Sequence, residues 1–204
     1  MAVEIFLARH GQNEDNANGI LNGHRDLPLT EIGRAQARQL GEGILAANLQ
    51  FDAVYSSPLS RALETAQIVS DIIGMSQDPI VLDSLIERDF GVMTGLPISS
   101  IEEMCAPNII KAEKITYFLD PEGAETFPQL LARAAFAVEE IQAKQGNGKV
   151  LAVCHGDLGK MVYASVTGLP WLDVLTKFHF GNAELIDLEP GGSAHVVKLD
   201  QYNA

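Results

Sequence analysis

The chain has 204 residues, enough for one domain whose core needs no disulfide or metal to hold it together. Its 27 acidic residues outnumber its 14 basic residues, which gives a net charge of −13. This balance argues against a general nucleic-acid binder and against a polybasic membrane-surface protein, because both place an excess of Lys and Arg against phosphates. A small anionic substrate stays compatible with the composition if cations cluster locally.

The cysteine content and the length of the apolar runs indicate in which cellular compartment the protein is expected. Cys105 and Cys154 form no CxxC pair and are too few for a disulfide framework. The apolar N-terminal stretch is short and contains Glu4, so it is typical of a buried strand and not of a signal peptide. No run approaches the roughly 18 apolar residues of a membrane span. We therefore expect a cytoplasmic protein that binds neither membranes nor nucleic acid.

In the first half of the chain, short apolar runs alternate with longer helical patterns. Residues 12–27 and 83–95 are predicted to be loops. One helix begins after Thr30, and a second uses Ser57 as its N-cap and Pro58 as its first residue. The apolar, β-branched runs predict three strands: Val3 to Ala8, Phe51 to Ser56 and Pro79 to Leu82.

The second half continues the alternation after an irregular stretch at residues 98–118, which we interpret as one or two helices of a small lid. The remaining predicted elements are a helix from Thr126 to Lys144, a central strand from Lys149 to Cys154, a helix from Asp157 to Thr167, and two late edge strands, Asn182 to Leu188 and Ala194 to Leu199. This alternation predicts an α/β fold, a three-layer α/β/α sandwich with a mostly parallel sheet. We expect a single domain over residues 1–204, with 96–122 as a short lid insertion.

Histidine, arginine and glutamate residues follow the ends of the predicted strands. Taken singly, each has an ordinary alternative as a packed histidine, a surface arginine or a solvated carboxylate. The site of an open α/β sheet lies beyond the carboxyl ends of its strands, so these residues are expected to meet there. Gly11 and Gly156 follow the two histidines and permit close approach of backbone N–H groups to a ligand. The set comprises Arg9, His10, Arg61, Glu87, Arg88 and His155.

Such a set suits phosphoryl transfer. A neutral imidazole is a nucleophile near neutral pH and can carry a covalent intermediate. Guanidinium groups bind phosphate oxygens in pairs of hydrogen bonds and keep their charge. A carboxylic acid must protonate the leaving alkoxide, a role open to Glu87 if burial raises its pKa. The sequence contains no metal-ligand spacing, dinucleotide fingerprint, P-loop or GxSxG elbow, so neither a metal nor a cofactor is predicted.

Six short motifs follow one another over most of the chain. They are Arg9-His10-Gly11 with Asn16 (RHGxTxxN), residues 22–33 (xGxxDxPLTxxG), 56–66 (SSPLxRAxxTA), 85–95 (LxERxxGxxxG), 123–133 (GxES…R) and 155–156 (HG). In this order and at these spacings they resemble the histidine phosphatase superfamily, in its phosphoglycerate-mutase-like branch.

The resemblance implies a cap-bearing α/β sandwich and a phosphohistidine intermediate formed without metal. By motif position, His10 would be the nucleophile and Glu87 the proton donor, while Arg9, Arg61 and His155 would hold the phosphoryl group. Contacts to phosphate or substrate are implied for Asn16, Asn22, Gly23, Arg88 and the Gly156 backbone.

Three positions depart from the family pattern. Asn13 replaces the usual Thr and is expected to keep a hydrogen bond, and Lys160 stands where Arg is frequent. Asp157 follows the late His-Gly where a small or neutral residue is common. An unusually acidic site is expected, one that disfavours a second phosphate or carboxylate on the substrate, because further acidic residues lie nearby in sequence: Glu14, Asp15 and Asp89.

The family contains both mutases and hydrolases that share these residues. Mutases carry a long insertion after the ERxxG segment that excludes water, whereas only residues 96–122 are available here. We therefore expect a phosphatase that acts on a small phosphorylated metabolite. A phosphoglycerate mutase and a non-catalytic phospho-ligand-binding protein stay open as alternatives. The identity of the ester and the oligomeric state are not predicted.

Overall fold

The computed structural model describes residues 3–113, 115–188 and 194–197. Within them the strands are β1 (Glu4–Arg9), β2 (Ala53–Ser56), β3 (Ile80–Val81), β4 (Ile109–Lys111), β5 (Thr116–Phe118), β6 (Lys149–Cys154), β7 (Leu185–Leu188) and β8 (Ala194–Val196). The helices are α1 (Glu14–Asn18), α2 (Glu31–Ala46), α3 (Ser60–Ile73), α4 (Ile101–Cys105), α5 (Phe127–Gln145), α6 (Gly156–Thr167) and α7 (Trp171–Lys177). Of these helices, none combines the length and the apolar character needed to cross a bilayer.

Six strands form one sheet in the order β3-β2-β6-β1-β7-β8. The first four pair in parallel, and β7 and β8 are antiparallel additions, so the predicted mostly parallel sheet is confirmed. The prediction that Asn182 to Leu188 is an edge strand is wrong, because β7 lies between β1 and β8. Of the other predicted edge strand, residues 198–199 lie outside the described residues.

The register of the parallel strands sets the position of the site. Arg9 of β1 pairs with Cys154 of β6, and Ser56 of β2 pairs with Val153 of β6. These three strands therefore end at the same level. The residues that follow them, His10, Ser57 and His155, emerge together at one edge of the sheet, which we call the rim.

Helices cover both faces of the sheet, as predicted. Strand β6 alternates: Leu151 and Val153 pack in the same core as residues of α2 and α3. Val150, Ala152 and Cys154 pack with residues of α5 and α6 on the opposite face. All five side chains are fully buried, which explains why this strand reads as one continuous apolar run.

Two helix starts agree with the sequence and two do not. Thr30 caps α2, and Thr126 caps α5 while its own backbone N–H donates to Gln129 Oε1. Helix α3 begins at Ser60, so the predicted N-cap at Ser57 is wrong. The predicted loop at 12–27 contains the five-residue helix α1, which is too short and too polar to show an apolar period.

Residues 96–122 differ from the predicted helical lid. They contain one short α-helix, α4, followed by the antiparallel hairpin β4–β5. Both strands are three residues long, which is below the length at which hydrophobic alternation can be recognised. Ile101, Cys105 and Phe118 of this segment form a small core together with Leu21, Phe90 and Met93, which lie outside it.

Two glycines fix the loop after His10 against α2. A Cβ on Gly11 would lie 3.0 Å from the carbonyl carbon of Gly33, and a Cβ on Gly33 would lie 2.9 Å from that of Gln12. Side-chain bonds support the same contact, since the backbone N–H of Gln12 donates to Gln36 Oε1 at 2.8 Å. Gly11 is thus required by packing of the loop on α2, and not only by access for a ligand.

We predict that Gly33→Ala lowers the free energy of unfolding by about 1–3 kcal/mol, because the new methyl group meets backbone that cannot rotate away. Helix propensity alone would change stability in the opposite direction by about 1 kcal/mol. Urea denaturation measures the difference. Ile32→Ala is the matched control, since Ile32 is 60% exposed one residue earlier, and it should cost less than about 0.5 kcal/mol. Equal effects in the two variants would contradict the packing argument.

Candidate active site

A cavity of about 190 Å³ opens at the rim, and we call it the rim cavity. Most of the predicted site residues line it, although they come from distant parts of the chain. They are Arg9, His10, Asn16, Asn22, Arg61, Glu87 and Gly156. A larger cavity of about 280 Å³ lies between α5, α6 and the ends of β1 and β7, and none of these residues lines it.

His10 is buried, and its two ring nitrogens have different partners. Nδ1 lies 2.6 Å from the carbonyl oxygen of Gly11, so Nδ1 carries the proton and donates it. Nε2 accepts a hydrogen bond from Nε of Arg61 at 3.2 Å. Burial lowers the pKa of His10 well below its usual value, and the charges of Arg61 and Arg9 lower it further. The ring is therefore neutral, with its lone pair on Nε2.

His155 lies beside His10, with 5.1 Å between the ring centroids. Its Nε2 is 2.7 Å from Ser57 Oγ, and its pKa is also lowered by burial and then by Arg61. Among the described residues, no hydrogen-bond partner reaches His155 Nδ1 or Arg9 Nε, although both atoms are buried. His155 does not itself line the rim cavity, whereas His10 and Arg9 do. Buried polar atoms without partners are rare, and that of Arg9 at the cavity marks a place for a polar ligand.

Arg61 is fully buried in the first turn of α3. Its terminal nitrogens donate to the carbonyl oxygens of Arg25 and Gly23 at 2.7 and 3.0 Å. Burial lowers its pKa to about 10, so the guanidinium stays charged at neutral pH. Gly23 does not line the rim cavity. It acts through its carbonyl, at a backbone φ of +49°, by orienting Arg61 against His10.

Glu87 lies across the cavity, at the N-terminus of α6. Its Oε1 accepts from the backbone N–H groups of Arg88 and Leu158 at 2.9 and 3.0 Å, and Oε2 from that of Asp157 at 3.3 Å. Burial raises the pKa of Glu87, and the charge of Asp157 raises it further, whereas the backbone donors act in the opposite direction. The net effect is a raised pKa, so Glu87 holds a proton to a higher pH than an exposed glutamate does.

Arg133 ends the GxES…R motif, and its role was not predicted from the sequence. Its guanidinium donates to the carbonyl oxygens of Ile86 and Glu87 at 2.6 and 3.1 Å. It also forms paired bonds with both carboxylate oxygens of Glu125, at 2.9 and 2.7 Å. Arg133 therefore fixes the backbone that carries Glu87, and its position in the GxES…R motif was the available signal.

Arg88 does not line the rim cavity, and the expectation that it contacts substrate is not supported. Its guanidinium donates to the carbonyl oxygens of Glu125, Phe118 and Leu119 at 2.7 to 3.0 Å. It also lies over the rings of Phe127 and Phe118, with 4.2 and 4.5 Å to the centroids. A fully buried cation with these partners ties residues 118–119 to the main body of the protein.

The expectation of an unusually acidic site is wrong for most of the residues on which it rested. Glu14, Asp15 and Asp89 do not line the cavity, and Asp15 is paired with Arg25 at 2.8 Å. Asp157 does line it, but Arg88 lies 3.5 Å from its carboxylate.

Sequence reasoning treated Lys160 only as a departure from the family pattern and did not assign Tyr117 or Asn182 to the site. Lys160 and Tyr117 line the rim cavity. Asn182 donates to the carbonyl oxygen of His10 at 2.9 Å.

Similarity to known proteins agrees with this geometry. A family model for the histidine phosphatase superfamily, branch 1, matches residues 5–202. A 2,3-bisphosphoglycerate-dependent phosphoglycerate mutase of Methylobacterium sp. strain 4-46 is 32% identical over 168 residues, which are 81% of each chain. The protein of that name from Brucella anthropi is 33% identical over 83% of this chain and 84% of its own.

Two solved structures resemble the whole fold. A mycobacterial glucosyl-3-phosphoglycerate phosphatase, solved in complex with VO3, has a TM-score of 0.79 at 26% identity, over 95% of this chain and 97% of its own. The protein YhfR of Bacillus stearothermophilus has a TM-score of 0.75 at 29% identity, over 96% of both chains. The family model covers nearly the whole chain and the motif residues gather at the rim, so this protein belongs to the histidine phosphatase superfamily.

Proposed function

We propose that the protein is a phosphatase that hydrolyses a small phosphomonoester through a phosphohistidine on His10. The observation that carries the proposal is the unprotonated Nε2 of His10, a residue that lines the same cavity as Arg9 and Arg61. A neutral imidazole beside fixed cations provides a nucleophile together with charge compensation for a phosphoryl group. A protein that only binds phosphate would need the cations, but not the lone pair or the nearby carboxylic acid.

In the first step, the lone pair of His10 Nε2 forms a bond to phosphorus as the bond from phosphorus to the ester oxygen breaks. Arg61 shifts its Nε–H from Nε2 to a phosphoryl oxygen, and Arg9 supplies its unpartnered Nε–H to another. Ser57 accepts from the backbone N–H of Leu59, so its hydroxyl is free to donate to His155 Nε2. His155 Nδ1–H is then a further donor to the phosphoryl group.

Glu87 gives its proton to the leaving ester oxygen, which departs as an alcohol. The resulting carboxylate then takes a proton from a water molecule as that water attacks the phosphohistidine. The products are inorganic phosphate, neutral His10 and protonated Glu87, so the cycle closes. A raised pKa suits Glu87 both to donate a proton to the leaving oxygen and to take one from water.

Hydrolysis and mutase activity differ in whether water reaches the phosphohistidine. The segment 96–122 is short. Ile98 and Ile115 line the cavity and are exposed to solvent, so the cavity is open to water at these residues. The second candidate is a phosphoglycerate mutase, favoured by the names of the similar curated proteins.

We also propose that 96–122 acts as the lid of a single domain.

A labelling experiment separates the candidates. We expect transient alkali-stable label on the protein from a labelled phosphomonoester, followed by free phosphate, because phosphohistidine survives alkali. His10→Ala should abolish both label and turnover, with folding checked by circular dichroism. A mutase would retain the label and isomerise phosphoglycerate, and a binder would take up none. Turnover by His10→Ala would show that the assigned nucleophile is wrong.

We predict that Glu87→Gln lowers kcat by about 10²–10⁴-fold for an alkyl phosphate, because an alkoxide needs a proton to leave. The loss should be much smaller for 4-nitrophenyl phosphate, whose leaving group departs as a stable anion. Release of phosphate measures both rates. Glu42→Gln, on the exposed surface of α2, is the matched control and should leave both rates unchanged. Equal losses on the two esters would assign Glu87 to binding instead of proton transfer.

His10 should remain the neutral Nδ1–H tautomer at about pH 6, where a free histidine is largely protonated. Nitrogen-15 NMR distinguishes the tautomers directly. In the unfolded chain the imidazole of His10 binds a second proton in this pH range, whereas in the folded protein it does not. The free energy of unfolding should therefore fall as the pH drops below about 6.5. His10→Asn should show a shallower fall, and an imidazolium signal for His10 at that pH would refute the assignment.

A further inference from the structure

We propose that Lys160 and Tyr117 form a second subsite, which binds a carboxylate on the leaving group of the substrate. The inference rests on the proposed function and extends it to the substrate class, a phosphomonoester whose apolar body ends in a carboxylate. It reverses the expectation from sequence that the site disfavours a second anionic group.

Lys160 is a buried cation without a described counterion. It lies on α6, one turn after Gly156, with 3% of its surface exposed. Among the described residues, its hydrogen-bond partner is Tyr117 Oη, and no carboxylate comes within ion-pairing distance of Nζ. An ammonium group has three donors, so two stay available. A buried charge is costly unless it is paired, and an anionic ligand would provide the missing partner.

The position of Lys160 separates it from the phosphoryl end of the site. A second cavity of about 120 Å³, the side cavity, adjoins the rim cavity. Lys160, Tyr117 and Ile115 line both cavities, whereas His10 and Arg61 line only the rim cavity. The ammonium group therefore stands at the boundary between them, where the leaving group of a bound ester would end.

Apolar side chains line the space between these two polar ends. Leu21, Phe90 and Phe180 are buried in its wall, while Ile98 and Ile115 are 50% and 37% exposed. Exposed apolar side chains at the mouth of a cavity gain stability when a ligand covers them. A leaving group with an aromatic or aliphatic body fits this wall better than a strongly hydrated one.

The charges around the side cavity are mixed, and Lys160 is the buried cation among them. The other ionisable lining residues of this cavity are Lys177, His179 and Glu113, and Lys177 is engaged by Asp173 at 3.0 Å. Asp157, which also lines the rim cavity, lies beside Arg88. Burial lowers the pKa of Lys160, and Asp157 acts in the opposite direction. A bound carboxylate would add to the effect of Asp157 and hold the ammonium in its charged form.

The test compares two esters that differ in one group, phenyl phosphate and 4-carboxyphenyl phosphate. For the unmodified protein we expect kcat/KM to favour the carboxylated ester by about tenfold or more, the value of a charged hydrogen bond. Lys160→Met should remove this preference, so that the ratio of the two kcat/KM values falls to about one. Lys160→Arg should retain part of it, and Lys144→Met, on exposed α5, should retain all of it.

Tyr117→Phe provides an independent variant if Lys160→Met does not fold, and it should weaken the preference through KM and not kcat. Equal losses on both esters in Lys160→Met would place Lys160 at the phosphoryl group or in the fold, and would overturn the inference. Absence of any preference in the unmodified protein would overturn it too.

Calorimetric binding to His10→Ala distinguishes the failure of this inference from that of the proposed function. If neither ester is hydrolysed but the carboxylated one still binds more tightly in a Lys160-dependent way, the phosphatase assignment fails and the subsite stands. If both are hydrolysed equally and bind equally, the subsite fails and the phosphatase assignment stands.

Discussion

A buried guanidinium held against an unprotonated ring nitrogen is the interaction on which the rest of the site depends. Arg61 donates to His10 Nε2, and this bond exists only while that nitrogen is without a proton. The carbonyl of Gly11 holds the proton on the other nitrogen. Burial and positive charge both penalise a second proton, so the tautomer, the charge state and the orientation of the ring are fixed by the same contacts.

Arg9 and Arg61, which line the rim cavity, and Arg88, which does not, are all satisfied mainly by backbone carbonyls. Arg61 uses two carbonyls, Arg9 uses that of Phe180 at 2.9 Å, and Arg88 uses three. A carbonyl meets the hydrogen-bonding need of a cation without cancelling its charge. A protein with a net charge of −13 can thus keep a positive potential at the rim, because Glu87 and Asp157 are the only acidic residues among the described ones that line the rim cavity.

Sequence reasoning succeeded where the fold itself brings residues together. Parallel strands that end at one level place His10 and His155 side by side, and this follows from topology alone. The role of Arg88 could not be predicted, since an arginine that binds phosphate and one that binds carbonyls look alike in sequence. The expectation of an acidic site was wrong for a similar reason. Asp15 is close to His10 in sequence, but its carboxylate pairs with Arg25. The hairpin β4–β5 was too short to show a period.

Asn13 shows how a departure from the family pattern is accommodated. Its side-chain oxygen accepts from the backbone N–H of Asn16 at 3.1 Å and thereby caps α1, a role that a threonine hydroxyl could also fill. Its amide nitrogen donates to Asn22 Oδ1 at 2.6 Å, and Asn22 returns a bond at 3.3 Å. A single hydroxyl cannot cap the helix and complete this reciprocal pair in the same geometry. Asn22 lines the rim cavity, so Asn13 links one wall of the site to the N-terminus of α1 while the cap is preserved.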